Sequence, residues 1–317
     1  MSIVDKMKQA YIVMNKYMHI YNIQTNSEFL DERYASELVR NVHSIEKGLS
    51  LREVRPFFGV PKILEAYEYA KTLIEHKVHF EEVCMFIGAL RAYIEYHTDN
   101  HLDNEKVEKV RQIYLDLLER ETTKMEVAGG YITVKNKGYS KERDSLITDL
   151  IKNRHSIREF DLTPIDDKLL LEAIDLARYC PSACNRQGFR VHIVSKENMR
   201  VFDGWFDGIG GFANEIQKMI LVTGKISAYR VNEEFQYIVS ASVFAGYLTM
   251  TLEAKNIGCC FVQRPLLQSK QWDKVTSELN IDKDEQIICA LGIGNMLEEF
   301  KAPISHRINI EQIVNIH

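Results

Sequence analysis

The chain has 317 residues, of which 45% are hydrophobic and 27% are charged, so it can build one large domain or two ordinary domains. Its formal net charge of -5 argues against a general nucleic-acid binder or acidic-membrane binder, because both need a basic surface field. No apolar stretch approaches the roughly 20 residues that span a bilayer, and polar residues interrupt the N-terminal segment too often for a signal peptide. We therefore expect a cytoplasmic protein without nucleic-acid or membrane partners.

The cysteines lie scattered in apolar surroundings and are too few for a disulfide scaffold in a chain of this size. No two of them form a C-x-x-C pair, and no histidine pair at zinc spacing accompanies them. We therefore expect reduced thiols and no metal site. The cysteines are Cys84, Cys180, Cys184, Cys259, Cys260 and Cys289.

The first 125 residues are predicted to be almost wholly helical. Ser27 is placed to cap a helix that ends near Gly48, and Pro61 opens the next one. Further helices are predicted at about 81–97 and 104–121. The apolar stripe of the first helix is Tyr34, Leu38, Val42, Ile45 and Leu49, and that of the second is Leu64, Tyr67, the Lys71 stem and Ile74.

A change of pattern near residue 140 predicts a domain boundary. Gly129 and Gly130 precede a short β-like piece, YITV, and the polar segment KNKGYSKER at 135–143 has the composition of a linker. We therefore divide the chain into a helical N-terminal domain, 1–140, and a second domain, 141–317.

The second domain mixes helices and strands. A helix is predicted at 144–153, another begins around Pro164 and ends at Pro181, and the longest runs from about 233 to 256. Gly292 and Gly294 lack the strand-to-helix context of a dinucleotide fingerprint and are predicted to form a turn. Strands are predicted at 190–195, 218–224, 259–263 and 286–294.

Two short motifs carry the chemistry of this domain. The first is RHSIR at 154–158, where like charges repel one another unless an anion or an acidic partner lies among them. The second is PSACNRQGF, which starts at Pro181 after the following helix and runs into a strand. The order R-x-S-x-R, helix, P-S-x-x-N-x-Q, strand resembles the FMN-dependent nitroreductase family over roughly residues 145–317. The alternative for the first motif is a solvated charged turn.

The resemblance implies an α+β protein with a nitroreductase-like fold, in which helices flank a central, mostly antiparallel sheet, preceded here by a mainly α-helical N-terminal domain. It also implies an FMN whose phosphate is bound by Arg154 and Ser156. Arg158 would lie near the pyrimidine edge of the flavin ring, where a cation stabilises the reduced form. His155 would contact the ribityl-phosphate region or satisfy the backbone. Arg307 would close over the phosphate, with Ser305 where relatives often carry a basic residue.

The second motif is expected to reach the ring edge. In relatives this loop contacts the flavin partly across a two-fold axis, so the resemblance implies a homodimer with FMN at its interface. Bonds from these side chains to their own backbone are the alternative. Gln263 and Arg264 depart from the Gly-rich segment that relatives place near flavin N5, and they are expected to shape the ring pocket. The loop residues are Pro181, Ser182, Asn185 and Gln187.

The N-terminal half carries a further motif, H-x-x-E-K-G-L, starting at His43. Arg40, His43 and Lys47 share one helical face, which is either a solvated basic face or a polar wall near the flavin. The motif resembles an extension on some bacterial nitroreductase-like proteins associated with polysaccharide synthesis.

The function implied is an oxidoreductase in which NAD(P)H reduces FMN and an electron-poor small molecule reoxidises it. No side chain is assigned as catalytic, because the flavin carries the hydride chemistry. One alternative is a nitroreductase-like accessory or binding protein in polysaccharide biosynthesis, with reduced or no redox activity. Another is a thiol redox protein that uses Cys180 and Cys184, although nothing basic is placed to activate either thiol.

Overall fold

The computed structural model describes residues 2–120, 128–202, 211–262 and 270–317, with backbone only for 270–273. Helices dominate the first half, and a sheet with flanking helices forms the second. The helices are α1 Ile3–Thr25, α2 Leu30–Leu49, α3 Val60–His76, α4 Phe80–Asp99, α5 Glu105–Arg120, α6 Lys141–Asn153, α7 Asp167–Ala177, α8 Gln236–Ala254 and α9 Lys270–Glu278; the strands are β1 Phe189–Ser195, β2 Lys218–Lys225, β3 Ile257–Val262 and β4 Glu285–Asn295.

The four described strands form one sheet in the order β1-β2-β4-β3, with every neighbouring pair antiparallel. Strands β2 and β4 are central and almost continuously buried, as expected for strands covered on both faces. Helices α7 and α8 pack against one face, where the rings of Phe189 and Phe244 stack with centroids 4.3 Å apart. The predicted α+β class, with an antiparallel sheet after a helical region, is confirmed.

The helical region has its own hydrophobic core, built from α2, α3, α4 and α5. The predicted stripe of α2 is confirmed, because Leu38, Val42, Ile45 and Leu49 are buried and Tyr34 packs against them. A core of this kind comes from the amphipathic pattern of each helix rather than from helix propensity alone. The region therefore has the contacts of a packed helical unit.

Helix α1 and the turn after it join the helical region to the second half. Ile20 and Ile23 are buried in the same apolar cluster as the sheet and α8. The Gln24 amide donates a hydrogen bond to the Arg230 carbonyl over 2.8 Å, and the Ser36 hydroxyl donates to the Ala228 carbonyl. The helical region thus packs directly on the segment that follows β2.

A chain of charges crosses this contact. The buried Lys225 ammonium, at the end of β2, lies 2.6 Å from the Glu32 carboxylate of α2 and 3.9 Å from the buried Asp284. His79 lies 3.4 Å from Glu32 and 3.5 Å from Glu82. Burial acts to raise the pKa of Glu32, but the bonds from His79 and Lys225 outweigh it and lower that pKa to about 2. Hydrogen bonds to Glu32 and Glu82 raise the pKa of His79 to about 9.

Three predictions of local structure were wrong. The piece YITV is not a strand. The buried residues of α3 are Ile63, Ala66, Ala70 and Leu73, one position away from the expected stripe. Gly292 and Gly294 lie inside β4 rather than in a turn.

Helix ends also differ from those expected. Helix α6 begins at Lys141, capped by the Ser140 hydroxyl, and α7 ends at Ala177, before Pro181. Among the described helices, none has an apolar run long enough to cross a bilayer.

We predict that His79 makes the stability of the protein depend on alkaline pH. A histidine with a raised folded-state pKa adds stability below its unfolded value of 6.5 and loses it as the pH rises through about 9. Between these limits the wild type should lose about 1 kcal/mol more unfolding free energy than His79→Asn, as measured by urea denaturation. Asparagine is chosen because His79 has a φ of 55°, a region that asparagine tolerates.

His101→Asn is the matched control, since His101 is exposed and has a φ of 56°. It should leave the pH dependence of the wild type intact. Equal pH dependence in wild type and His79→Asn would contradict the assignment.

Candidate functional site

The segment that carries the first motif lies along the outer edge of β3. The Ile157 amide donates to the Cys259 carbonyl over 3.0 Å, and the Asp161 amide donates to the Asn295 carbonyl over 3.0 Å. Ile157 and Phe160 are fully or almost fully buried beneath the segment, with 0% and 2% exposure. These two apolar side chains anchor the motif on the sheet, so the polar residues between and before them face outward.

The anchoring requires a glycine in β4. A Cβ atom on Gly294 would lie 2.6 Å from Cγ of Phe160, which is closer than any real contact. The glycine that sequence reasoning assigned to a turn is therefore needed for close approach of the Phe160 ring. The fixed position of this ring determines where Ser156 and Arg158 emerge from the sheet edge.

An open cleft of about 660 Å³ brings the first motif together with the C-terminal segment. The cleft contains Arg154, His155, Ser156 and Arg158 from the motif, and Arg307 from the tail. Arg307 thus lies in the same cleft as the first motif. Lys152 and His306 also line the cleft, together with Ser305. Sequence reasoning missed Lys152, although its place two residues before Arg154 was a signal.

The cleft is strongly basic. Among the described residues, no carboxylate lies within 4.0 Å of Arg154, Arg158 or Arg307. The Arg307 guanidinium donates to the Ser305 carbonyl, and the Arg158 guanidinium donates to the Ser156 carbonyl over 3.3 Å. The half-buried Glu253 of α8 is raised in pKa by burial, and the field of Arg154 opposes that rise. Unneutralised guanidinium groups beside two serine hydroxyls fit a phosphate group.

The loop of the second motif is tightly folded on itself. Cys184, Asn185 and Gln187 have φ angles of 52°, 56° and 47°, a region that residues other than glycine seldom adopt. The Ser182 hydroxyl accepts a hydrogen bond from the Gln187 amide over 3.1 Å, and the Gln187 side chain donates to the Asn185 carbonyl over 3.4 Å. Pro181 and Asn185 are exposed. Ser182 and Gln187 thus bond the loop backbone, while the Asn185 side chain has no hydrogen bond among the described residues.

Arg186 holds this loop in place, and sequence reasoning did not single it out. Its side chain is 1% exposed and makes two bonds to the Glu233 carboxylate, of 2.7 and 2.8 Å. It also donates to the Ala228 carbonyl over 3.1 Å and lies 4.5 Å from the centroid of the Tyr229 ring. Paired and hydrogen-bonded in this way, a buried guanidinium fixes the loop that flanks it.

The two motifs lie at opposite corners of the sheet. At one corner, Ser156 pairs with Cys259 of β3, which in turn pairs with Ile293 of β4. At the other corner, the second loop leads into the start of β1, which is aligned across β2 with Gln286 of β4. Strand order puts β1 and β3 three strand spacings apart, which is roughly 14 Å, and seven residues along β4 add roughly 23 Å. None of the residues 181–187 lines the cleft around Arg154. Within one chain the motifs do not share a site.

Two further predicted residues, Gln263 and Arg264, lie outside the described residues. All six cysteines lie among the described residues, and none of them forms a disulfide bond. Burial raises the pKa of Cys180, and it raises the pKa of Cys259 and Cys289 to about 12. Raised pKa values oppose thiolate formation, so these thiols are poor nucleophiles.

Residues 151–295 match the protein-family model described as the nitroreductase family. Residues 151–295 are a nitroreductase-family domain. The resemblance stated from the two motifs is thereby confirmed for the C-terminal half. A 57-residue stretch is 39% identical to a 4-nitrobenzoate reductase of Pseudomonas putida and covers 17% of this chain. The matched stretch spans only 25% of the length of that relative.

Solved structures described as nitroreductases also align with part of this chain. A putative nitroreductase in complex with FMN from Desulfovibrio desulfuricans is 16% identical, with 58% of this chain and 98% of that chain covered and a TM-score of 0.47. A putative nitroreductase from Bacillus subtilis is 19% identical, with 55% and 100% covered and a TM-score of 0.47.

We predict that Arg186→Met destabilises the nitroreductase domain, because it leaves the Glu233 carboxylate without its partner. Breaking a buried ion pair costs about 3–5 kcal/mol, and the partial exposure of Glu233 puts the expected loss near the lower value. Urea denaturation measures it. Arg178→Met is the control, since the Arg178–Asp175 pair is more than half exposed and should contribute less than about 1 kcal/mol. Equal losses in the two variants would contradict the anchoring role of Arg186.

Proposed function

We propose that the protein is an FMN-dependent oxidoreductase that transfers hydride from NAD(P)H through the flavin to an electron-poor small molecule. The observation that carries this proposal is the basic cleft, in which Arg154 and Ser156 of the nitroreductase-family domain meet Arg307 of the C-terminal segment. Reduced cysteines and a nicotinamide reductant fit a cytoplasmic location.

The residues of the cleft have separate roles in this proposal. Arg154, Ser156 and Arg307 hold the phosphate of FMN, with Lys152 supplying a charge that Ser305 lacks. Arg158 supplies a fixed positive charge beside the pyrimidine edge of the ring, and His155 contacts the ribityl-phosphate region. The flavin supplies the hydride chemistry when it is bound. The protein positions the cofactor, and Gln263 and Arg264 shape the acceptor side of the ring.

We also propose that the working unit is a homodimer with FMN at the interface. A single copy holds the two motifs at opposite corners of its sheet, so a second copy is needed to bring Asn185 and Gln187 to the ring edge held by Arg158. The C-terminal tail supports this arrangement, because Ile304 and Ile316 are 95% and 94% exposed. Apolar side chains this exposed favour burial against another surface.

The spectrum of the purified protein tests the cofactor. We predict a yellow protein whose oxidised-flavin absorbance is lost on anaerobic addition of NADH or NADPH and returns with a nitroaromatic acceptor. FMN should bind more tightly than riboflavin, because only FMN carries the phosphate. Arg154→Gln or Arg307→Gln should lower FMN affinity roughly 10- to 100-fold, as measured by flavin fluorescence, and leave riboflavin affinity almost unchanged.

Arg200→Gln, an exposed arginine outside the cleft, is the charge-matched control and should bind FMN like the wild type. A colourless protein that takes up no added FMN would contradict the proposal and favour the accessory role in polysaccharide biosynthesis.

Mixing two inactive variants tests the shared site. We predict that Arg154→Gln and Asn185→Ala each lose activity, and that unfolding and refolding them together restores activity. Each mixed dimer then has one intact site, so about a quarter of the wild-type sites return. Refolding each variant alone is the control. Absence of recovery in a mixture that is dimeric by sedimentation would show that both residues act within one chain.

A further inference from the structure

A second basic cavity lies in the helical region, where α2 ends and α3 begins. Its volume is about 440 Å³. Lys47 from α2, Arg55 from the connecting loop and Lys62 from the first turn of α3 line it. These residues come from the H-x-x-E-K-G-L motif and from the segment just after it. The proposed flavin cleft does not use them, because no residue of 151–158 or 303–307 lines this second cavity.

Close packing holds the connecting loop against α2. A Cβ atom on Gly48 would lie 2.0 Å from Cε2 of Phe58, so only glycine lets the Phe58 ring rest on the helix at this point. The Tyr93 hydroxyl donates to the Phe58 carbonyl over 3.0 Å. This contact places the start of α3 beside the last turn of α2, where Lys47 emerges.

The preceding residue is also fixed. Phe57 has a φ of 58°, and its amide donates to Nε2 of the fully buried His97 over 3.0 Å. Because Nε2 accepts this bond, the proton of the neutral ring is on Nδ1, which donates to the Tyr93 carbonyl over 2.8 Å. The loop between Arg55 and α3 is therefore preorganised, and it keeps Arg55 at the cavity.

The three cations of the cavity lack acidic partners. Lys62 donates to the Ser44 hydroxyl over 2.7 Å, and among the described residues no carboxylate lies within 4.0 Å of Lys47, Arg55 or Lys62. Glu46, which precedes Lys47 in α2, accepts a bond from the Gly130 amide over 3.2 Å. Three like charges around one cavity repel one another unless an anion joins them.

The other two basic residues on this face of α2 have acidic neighbours. Arg40 pairs with Glu37 over 2.6 Å, and His43 lies 3.6 Å from Glu46. The predicted basic face of α2 is thus divided, since Arg40 and His43 have acidic neighbours and Lys47 does not. Only Lys47 joins the cavity with Arg55 and Lys62.

We propose that this cavity binds a phosphate ester. Three cations and the Ser44 hydroxyl match a group with two negative charges and several acceptor oxygens, and the planar guanidinium of Arg55 suits two-point contact. Phe58 and Leu51 line the same cavity and give the organic part of the ester an apolar surface. The ligand class is therefore an organic phosphate rather than a free inorganic ion, and the site is separate from the flavin cleft.

Phenyl phosphate is the probe, because it combines a phosphate monoester with a ring that Phe58 can contact. Isothermal titration of the full-length protein should show binding that is tighter than that of inorganic phosphate. Lys47→Gln and Arg55→Gln should each weaken it roughly 5- to 10-fold. Both residues are exposed, so the variants should fold, which circular dichroism checks.

Arg52→Gln is the matched control, because Arg52 is an exposed arginine three positions from Arg55 that does not line the cavity. It should bind phenyl phosphate within about twofold of the wild type. Arg154→Gln tests whether phenyl phosphate binds in the flavin cleft instead. Loss of binding in that variant alone would assign the phosphate to the flavin cleft and overturn the proposal. Absence of binding to the wild type, or equal weakening by Arg52→Gln and Arg55→Gln, would also overturn it.

Discussion

The attachment of residues 156–161 to the edge of β3 and β4 is the contact on which the proposed flavin site depends. Two backbone bonds and the buried side chains of Ile157 and Phe160 fix this segment. Because the apolar residues face the sheet, the arginines and the serine of the same short motif line the open cleft. Cations that would repel one another in a free loop are thus held together by packing energy that comes from elsewhere in the core. The convergence of basic side chains in this cleft is a consequence of that packing.

Packing also holds cations together in the helical region, although other residues do so there. There the Phe58 ring on Gly48 and the bond from Phe57 to His97 hold a loop that carries Arg55 beside Lys47. The helical region meets the nitroreductase domain through charges that are paired. Lys225 and His79 pair with Glu32, and His79 also pairs with Glu82, whereas the cations of each cavity lack such partners among the described residues. Paired charges stabilise the contact between the two halves, and unpaired charges mark the places where an anion fits.

Sequence patterns succeeded where the structure is local. The spacing of apolar side chains located the helices from α2 to α5, the stripe of α2 was correct, and Pro61 opens α3 as expected. The predicted cap of α2 was wrong, because Ser27 lies in a short 3-10 turn and the N-cap residue of α2 is Phe29, whose side chain makes no capping bond. The stripe of α3 was wrong by one position, because small Ala66 and Ala70 are buried while the larger Tyr67 packs only partly against the core. Gly292 and Gly294 were misassigned because glycine is typical of turns, whereas here neighbouring side chains occupy the Cβ positions. Arg186 carried no sequence signal, since its partner Glu233 lies 47 residues away.

The sequence by itself determined the family of the C-terminal half, its α+β class and the identity of the phosphate-binding candidates, because motif order and residue chemistry are properties of short segments. Only the tertiary structure decided which of these residues meet. Sheet order placed the two motifs at opposite corners, and long-range packing joined Arg307 to Arg154 and Lys47 to Arg55. The physical reason is that the distance between remote residues depends on register and packing of the whole core, which no local pattern contains.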